Sequence, residues 1–129
     1  MNLDYFYDYC LSKKGVTEHF PFDEDTLVFK VAGKMFCLAS LKDWENGNPT
    51  VNLKCDPDEA LALRDIFPAI LPGYHMNKKH WNTLDLTGDL PQSEVFKQID
   101  HSYALIVKKL PKAVKQRLRI QHESLAWLS

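Results

Sequence analysis

The apolar residues near the start of the chain recur at the spacing of one helix face. They fall at i, i+3, i+4, i+7 and i+8, which is the pattern of a short amphipathic helix. Asn2 can cap the first backbone amides of this helix, and Gly15 can close the turn behind it in a left-handed conformation. The apolar positions of this predicted first helix are Leu3, Phe6, Tyr7, Cys10 and Leu11.

Residues 27–41 show the pattern of a β-hairpin. Gly33 and Lys34 supply a two-residue turn, because glycine adopts positive φ at the first central position. This turn places Val31 opposite Phe36, and the apolar side chains fix the register, since a slip by one residue moves every side chain to the other face. The predicted core face holds Leu27, Phe29, Val31, Phe36 and Leu38, and the other face holds Val28, Lys30, Ala32, Met35, Cys37 and Ala39.

The remaining elements follow from alternation and from helix start and stop signals. Residues 51–55 predict a half-buried strand, and Asp56, Pro57 and Glu59 are a strong helix start. That helix runs to about residue 67, and strands are predicted over 70–74 and 81–86. A third helix opens at Pro91 or Ser93, and a fourth follows Pro111 with Val114, Leu118 and Leu125 as its apolar positions.

This order predicts an α+β fold. It is a two-layer α-βββ-α-ββ-α arrangement, with an antiparallel sheet, helices packed on one face and an extra C-terminal helix. We expect a single domain over 1–129, with a core to about residue 110 and a basic helical tail over 111–129.

Composition and charge narrow the functional classes. Hydrophobic residues make up 45% of the 129 residues, which excludes a disordered chain. The balance of 16 Lys+Arg against 17 Asp+Glu excludes a protein that is basic overall. The charge is uneven, because residues 108–129 hold six basic residues and one acidic residue, a charge of +5, and the rest carries −6. The basic segment is either a solvated amphipathic helix or an electrostatic footprint for nucleic acid or another acidic partner.

The three cysteines and the histidines give no familiar site. Cys10, Cys37 and Cys55 are odd in number and lack Cys-x-x-Cys spacing, which favours free thiols in a cytoplasmic protein. No secretion signal and no membrane span are expected. His75 and His80 are five residues apart, which is not a usual metal-ligand spacing. We therefore expect no metal site, no cofactor and no catalytic activity.

One loop concentrates the polar chemistry. Residues 73–82 hold two histidines, two lysines, two asparagines and aromatic residues between two strands. These side chains are suited to phosphates, bases or sugars, or they are solvated loop tips between buried strand ends. A second cluster consists of Lys30, Asn52 and Lys54. These residues are out of phase with the core residues of their strands, so they are predicted on the open side of the sheet. The candidate nucleic-acid or ligand-binding residues are Lys30, Asn52, Lys54, His75, Asn77, Lys78, Lys79, His80 and Trp81.

The sequence resembles the MmcQ/YjbR family of small bacterial cytoplasmic proteins. The resemblance rests on PF at 21–22, TLVFKV at 26–31, GKMF at 33–36, VNLKCDP at 51–57, PGYHMNKKHWN at 72–82 and DHSY at 100–103. It implies the fold above, similar to type III secretion chaperones and to frataxin-like domains, and a DNA-binding protein of double-wing type. It implies no catalytic residues, and fold alone does not fix function.

Three functions follow as hypotheses. The first is DNA binding through Lys30, Lys54, the loop and the basic tail. The second is a protein- or peptide-binding module, including a homodimer that pairs through the second hairpin face. The third is a binder of a small anionic ligand, or an enzyme, that needs Lys30, Lys54, His75 and Tyr103 to converge.

Overall fold

A computed structural model describes residues 1–119 of the chain. Its elements alternate between short helices and strands that form one sheet, which confirms the α+β class and the single-sheet architecture. The elements are α1 Leu3–Leu11, β1 Val16–His19, β2 Thr26–Val31, β3 Lys34–Ser40, α2 Leu41–Glu45, β4 Thr50–Lys54, α3 Pro57–Ile66, β5 Ile70–Pro72, β6 Trp81–Asp85 and α4 Gln92–Lys108. Residues 112–119 are also helical.

The six strands form one antiparallel sheet in the order β1-β2-β3-β4-β6-β5. The helices pack on one side, which we call the helical face, and the opposite side is the open face. The main core lies between the sheet and the helices, where burial of apolar surface stabilises the fold. Its fully buried members include Phe6, Cys10, Leu27, Phe29, Val31, Phe36, Val51, Leu53, Leu84, Val95 and Ile99.

Two short elements were not predicted. Strand β1 pairs with β2, with Val16 opposite Val31 and His19 opposite Val28. Helix α2 is capped by the Ser40 hydroxyl, and its Trp44 ring stacks on Phe6 at a centroid distance of 5.3 Å. Elements of four and five residues are too short for either periodicity to be recognised.

The hairpin departs from the predicted register in two ways. The turn residues are Ala32 and Gly33, with φ of 51° and 77°, as a type I′ turn requires, and so Val31 lies opposite Lys34. A β-bulge follows, because Phe29 pairs with Cys37 while Lys30 pairs with Met35.

The bulge reverses the faces that the sequence predicted for the second half of β3. Phe36 and Cys37 both join the core on the helical face, and so does Ala39. Leu38 packs instead with Val28 on the open face. The predicted placement of Cys37, Leu38 and Ala39 was therefore wrong, whereas Val28 and Met35 lie on the open face as predicted.

Helix α4 is fastened to the sheet by one buried hydroxyl. Ser102 Oγ donates to the Phe36 carbonyl at 2.6 Å and accepts from the Lys54 amide at 2.9 Å. The β3–β4 ladder is short, with Cys37 opposite Leu53 as its pair nearest this point. The Ser102 hydroxyl therefore bridges the strands where the bulge has ended their direct pairing.

The helix ends behave largely as the sequence predicts. Asn2 caps α1, and the Asp56 carboxylate caps α3 by accepting from two backbone amides. Helix α4 begins after Pro91 without a side-chain cap. In the helical segment 112–119, Leu118 packs against the core beside Gly15, while the predicted position Leu125 lies outside the described residues.

Candidate ligand-binding site on the open face

The centre of the open face is a single row of side chains that crosses the whole sheet. Each member lies opposite the next through the strand register. From β1 to β5, the row is His19, Val28, Leu38, Asn52, Thr83 and Leu71. Polar side chains thus occupy the adjacent strands β4 and β6, and the apolar side chains of Leu38 and Leu71 flank them.

A small apolar cluster lies on this face beside the row. Val28, Leu38 and Trp81 are buried, and Met35 and Met76 pack over them. Met76 belongs to the segment Gly73–His80, which we call the β5–β6 loop. The loop therefore covers part of the open face.

Next to this cluster the open face forms a cavity of about 670 Å³. Leu38, Asn52 and Thr83 line its floor, and exposed Phe22, Leu71 and Tyr74 line its wall. Large apolar side chains left exposed together mark a surface that binds something more often than isolated ones do. The further lining residues are Thr26, Ala39, Ser40, Asp43, Thr50, Pro72, His75 and Met76.

A short hydrogen-bond chain orders the cavity floor. The Tyr74 amide donates to Thr83 Oγ1 at 2.8 Å, and the Thr83 hydroxyl donates to Asn52 Oδ1. Among the described residues, no group accepts from Asn52 Nδ2. The floor thus offers an amide donor to an occupant of the cavity.

The β5–β6 loop closes tightly onto the first residue of β6. The Gly73 amide donates to the Trp81 carbonyl at 2.9 Å, and a Cβ on Gly73 would lie 2.8 Å from Trp81 Cβ. Only glycine permits this approach. His75, two residues later, has a positive φ of 59°.

Arg64 of α3 holds the far end of the loop from the helical side. Its guanidinium donates to Asn82 Oδ1 at 2.8 Å and to the carbonyls of Lys78 and Trp81. Lys78 Nζ in turn donates to the Gly73 carbonyl at 3.0 Å. These charge-assisted bonds fix the loop backbone that carries His75 to the cavity.

Comparison with known proteins identifies the family. The sequence model of the YjbR family matches residues 11–105. The chain belongs to the YjbR family. It is 35% identical over 121 residues to the uncharacterised protein YjbR of Escherichia coli K12, covering 94% of this chain and 99% of that protein. It is also 39% identical over 99 residues to the uncharacterised protein YbdF of Escherichia coli O157:H7, covering 77% and 79%.

Solved structures agree with this YjbR assignment. The crystal structure of Deinococcus radiodurans protein DR2400, with a DUF419 domain, superposes with a TM-score of 0.82 at 36% identity and covers 91% of this chain and 87% of that one. A Pseudomonas syringae protein superposes with a TM-score of 0.68 at 28% identity, covering 81% and 98%. The family resemblance and the fold inferred from sequence are thus confirmed.

The structure brings some of the predicted site residues of this YjbR-family chain together on the open face. Asn52 and His75 line the cavity. Lys30 and Lys54 lie on the open face as predicted, with Lys54 opposite Trp81, but outside the cavity lining. Trp81 is only 8% exposed and packs in the apolar cluster.

Asn77 and His80 make hydrogen bonds within the protein and do not line the cavity. Asn77 Oδ1 accepts from the Lys79 amide, and the His80 carbonyl accepts from the Cys55 amide at 2.8 Å. The Lys79 side chain is exposed and forms no hydrogen bond or ion pair within residues 1–119.

Tyr103 does not join the predicted anionic site. It lies on α4, and its ring packs edge-on against Phe36 of the helical face. Its hydroxyl donates to the Lys14 carbonyl at 2.7 Å. The sheet therefore separates it from His75, and the proposed convergence of the two was wrong.

Several residues of the site were missed by sequence reasoning. Thr83 is out of phase with the core residue Leu84, so its open-face position was predictable from alternation in the same way as that of Asn52. Phe22 comes from the loop before β2 and Leu71 from an edge strand, and no local signal links these two to β4. Their meeting depends on β6 lying between β4 and β5.

The described residues include three cysteine thiols and one cluster of potential metal ligands. All three cysteines are free and buried. Burial raises the pKa of the Cys55 thiol to about 11. Cys55, Glu59 and His101, on the helical side, lie close enough together to hold a metal ion.

Within residues 1–119, none of the helices has the length and apolarity needed to cross a membrane.

Proposed function

We propose that this YjbR-family protein is a binding protein whose open-face cavity receives a small, mostly apolar molecule that carries a hydrogen-bond acceptor. The observation that carries the proposal is the cavity itself. Its volume of about 670 Å³ lies within the range of about 300–1,000 Å³ that is usual for small-molecule sites.

The lining supports this class of ligand. Leu38, Leu71 and Met76 provide apolar contact, and Phe22 and Tyr74 provide exposed aromatic surface at the edge. A flat ring packs favourably on such side chains.

The polar groups set the orientation of the ligand. Asn52 Nδ2 is an unused donor on the floor and is suited to a carbonyl or carboxylate oxygen. Asp43 also lines the cavity and is suited to a donor group such as an amine or amide. Because the body of the chain is acidic, a neutral ligand meets less electrostatic repulsion than an anionic one. An aromatic amide combines these properties.

Chemical-shift mapping tests this proposal. The ¹⁵N-labelled protein is titrated with indole-3-carboxamide, for which a dissociation constant of about 1 mM is ordinary for so small a molecule. We expect the largest shifts at the backbone amides of Asn52, Tyr74, His75 and Thr83 and at the Asn52 side-chain amide. Shifts spread evenly over the surface, or confined to the helical face, would contradict it.

DNA binding is the second candidate, and one observation favours it. Lys30 and Lys54 share the open face near the β2–β3 turn, and the exposed Lys79 lies in the adjoining loop. Lysines arranged on one face can contact successive phosphates. The net charge of −6 over residues 1–107 opposes this binding.

Fluorescence anisotropy with a short duplex at low salt tests the second candidate. The double variant Lys30→Ala/Lys54→Ala is compared with Lys42→Ala/Lys97→Ala, which removes two exposed lysines from α2 and α4. DNA binding through the open face predicts weaker binding in the first variant alone. It also predicts that the slope of log K against log salt falls by about 0.9 per lost phosphate contact. Equal affinity of both variants, or no binding by the wild type, would count against it.

The remaining expectations from the sequence stay predictions. They are a protein partner or a homodimer, a role without catalysis, and a cytoplasmic location. Binding of a second copy across the cavity is distinguishable from ligand binding, because it would depend on protein concentration and appear in sedimentation velocity.

A further inference from the structure

We propose that Cys55, Glu59 and His101 form a Zn²⁺ site on the helical face. Their donor atoms, one sulfur, one carboxylate oxygen and one imidazole nitrogen, all lie within 4.8 Å of one another. Zinc binds these three ligand types with bonds of about 2.0–2.3 Å, and tetrahedral geometry separates the donors by about 3.3–3.8 Å. The three side chains therefore need only small rotamer adjustments to share one ion.

Three different elements bring these ligands together. Cys55 follows β4, where its amide donates to the His80 carbonyl. Glu59 lies in the first turn of α3, and His101 projects from the middle of α4. A bound ion would thus join the sheet, α3 and α4 at one point, in the manner of a structural clamp.

The contact between His101 and Glu59 brings two of the three ligands side by side. Nε2 of His101 lies 3.0 Å from Oε2 of Glu59, and the Asp56 amide nitrogen lies 3.4 Å from the same ring nitrogen. Without a metal, a proton on Nε2 joins the two groups. A zinc ion would take the place of this proton and accept an electron pair from each group.

The surroundings are compatible with a divalent ion. The positive end of α3 is offset by the Asp56 carboxylate, which accepts from the amides of Asp58 and Glu59. Arg64 lies near the thiol, but its guanidinium is committed to the β5–β6 loop and Asn82. The side chain of Glu59 is 61% exposed, so water can reach the ion and supply a fourth ligand.

Cobalt and zinc titrations of the full, metal-stripped chain test this site. Co²⁺ should bind with one equivalent and produce a sulfur-to-cobalt charge-transfer band together with tetrahedral d–d bands. Zn²⁺ should displace the cobalt and raise the melting temperature. Absence of the charge-transfer band in the wild type would overturn the proposal.

Variants assign the ligands. Cys55→Ser should abolish the sulfur band, while Cys10→Ser, which removes another buried thiol, should retain it. Loss of an outer-shell partner already weakens metal affinity about 10- to 100-fold, so Glu59→Gln and His101→Gln should each weaken zinc binding by more than about 100-fold. Glu59 is exposed and its variant should fold normally, so unchanged zinc affinity in Glu59→Gln would also overturn the proposal. The open-face titration does not involve these residues, so either result can fail without the other.

Discussion

At the scale of single residues, Ser102 has an effect on the fold that its size does not suggest. Its hydroxyl satisfies both the Phe36 carbonyl and the Lys54 amide at the end of the β3–β4 ladder. Alanine at this position would leave two backbone groups without partners in the interior. No local sequence feature predicts this role, because the role depends on the β-bulge and the bulge was itself not predicted.

We expect Ser102→Ala to lower the free energy of unfolding by about 1–3 kcal/mol, the usual cost of leaving a buried polar group unsatisfied. Urea denaturation followed by circular dichroism measures this change. Ser93→Ala, an exposed serine in the first turn of α4, is the matched control and should change stability by less than about 0.5 kcal/mol. Equal stability of the two variants would refute the bridging role.

The Asp85 carboxyl makes the stability of the folded protein depend on pH. Its Oδ1 accepts from the Thr87 hydroxyl at 2.6 Å and from the Thr87 amide at 2.9 Å, and these bonds hold the pKa of the carboxyl below its usual value. A folded-state pKa below the unfolded one stabilises the protein above the unfolded pKa of about 3.9, and this contribution is lost as pH falls through the folded pKa.

Asp85→Asn should therefore be less stable than the wild type at pH 7, and the difference should shrink as pH falls below about 4. Urea denaturation at a series of pH values measures it. Asp89→Asn, which removes an exposed carboxylate four residues away, is the control. A stability difference between Asp85→Asn and the wild type that does not vary with pH would contradict this assignment.

At the scale of secondary-structure elements, the β5–β6 loop is the part that sequence reasoning singled out and only partly understood. The polar residues in 73–82 correctly predicted a loop between two strands. Its internal bonding could not be inferred, because Arg64 reaches it from α3 and Gly73 meets Trp81 across the loop. Lys78 shows the consequence, since its ammonium group is used to brace the loop as well as to carry charge.

Replacing Arg64 by alanine should loosen this loop while leaving the sheet intact. The hydrogen bonds to Asn82 Oδ1 and to two carbonyls would be lost, at about 1.5–3 kcal/mol for bonds from a charged donor. Hydrogen exchange should become faster at the amides of His80 and Trp81, which bond within the loop to the Asn77 carbonyl. Arg64→Lys should not restore protection, because a single ammonium cannot reproduce the forked contacts.

Wild-type exchange rates at these two amides in Arg64→Ala would contradict the bracing role. The hairpin provides the comparison within the same molecule, since its β2–β3 amides have no contact with Arg64.

The β2–β3 hairpin shows how far its own structure could be predicted from the sequence. Its existence followed from alternation, but its turn position and bulge did not, because Ala32 carries no signal for a positive φ.

At the scale of the whole molecule, the basic residues seen in the sequence come from separate parts of the fold. Met76 of the β5–β6 loop packs over the apolar cluster on the open face. Leu118 of the helical segment 112–119 packs against the core beside Gly15, which precedes β1. Lys30 and Lys54 lie on the open face.

The features of the whole fold were predicted best from the sequence. Fold class, family and the open-face position of Lys30, Asn52 and Lys54 follow from periodicity and from recognisable motifs. The cavity does not, because Phe22, Leu38, Leu71 and Thr83 come from four separate segments whose meeting depends on non-sequential strand order. Convergence of this kind is a property of the complete topology.

Binding in the open-face cavity is tested best by two variants that make the same Leu→Asp change inside and outside the cavity. Leu71→Asp places a carboxylate on the cavity wall, and Leu61→Asp places one on an exposed site of α3, away from the cavity. The dissociation constant of indole-3-carboxamide is measured for each by NMR titration. We predict a rise of about tenfold or more for Leu71→Asp, the effect of about 1.4 kcal/mol, and less than about twofold for Leu61→Asp. Equal dissociation constants in the two variants would show that indole-3-carboxamide does not bind in this cavity.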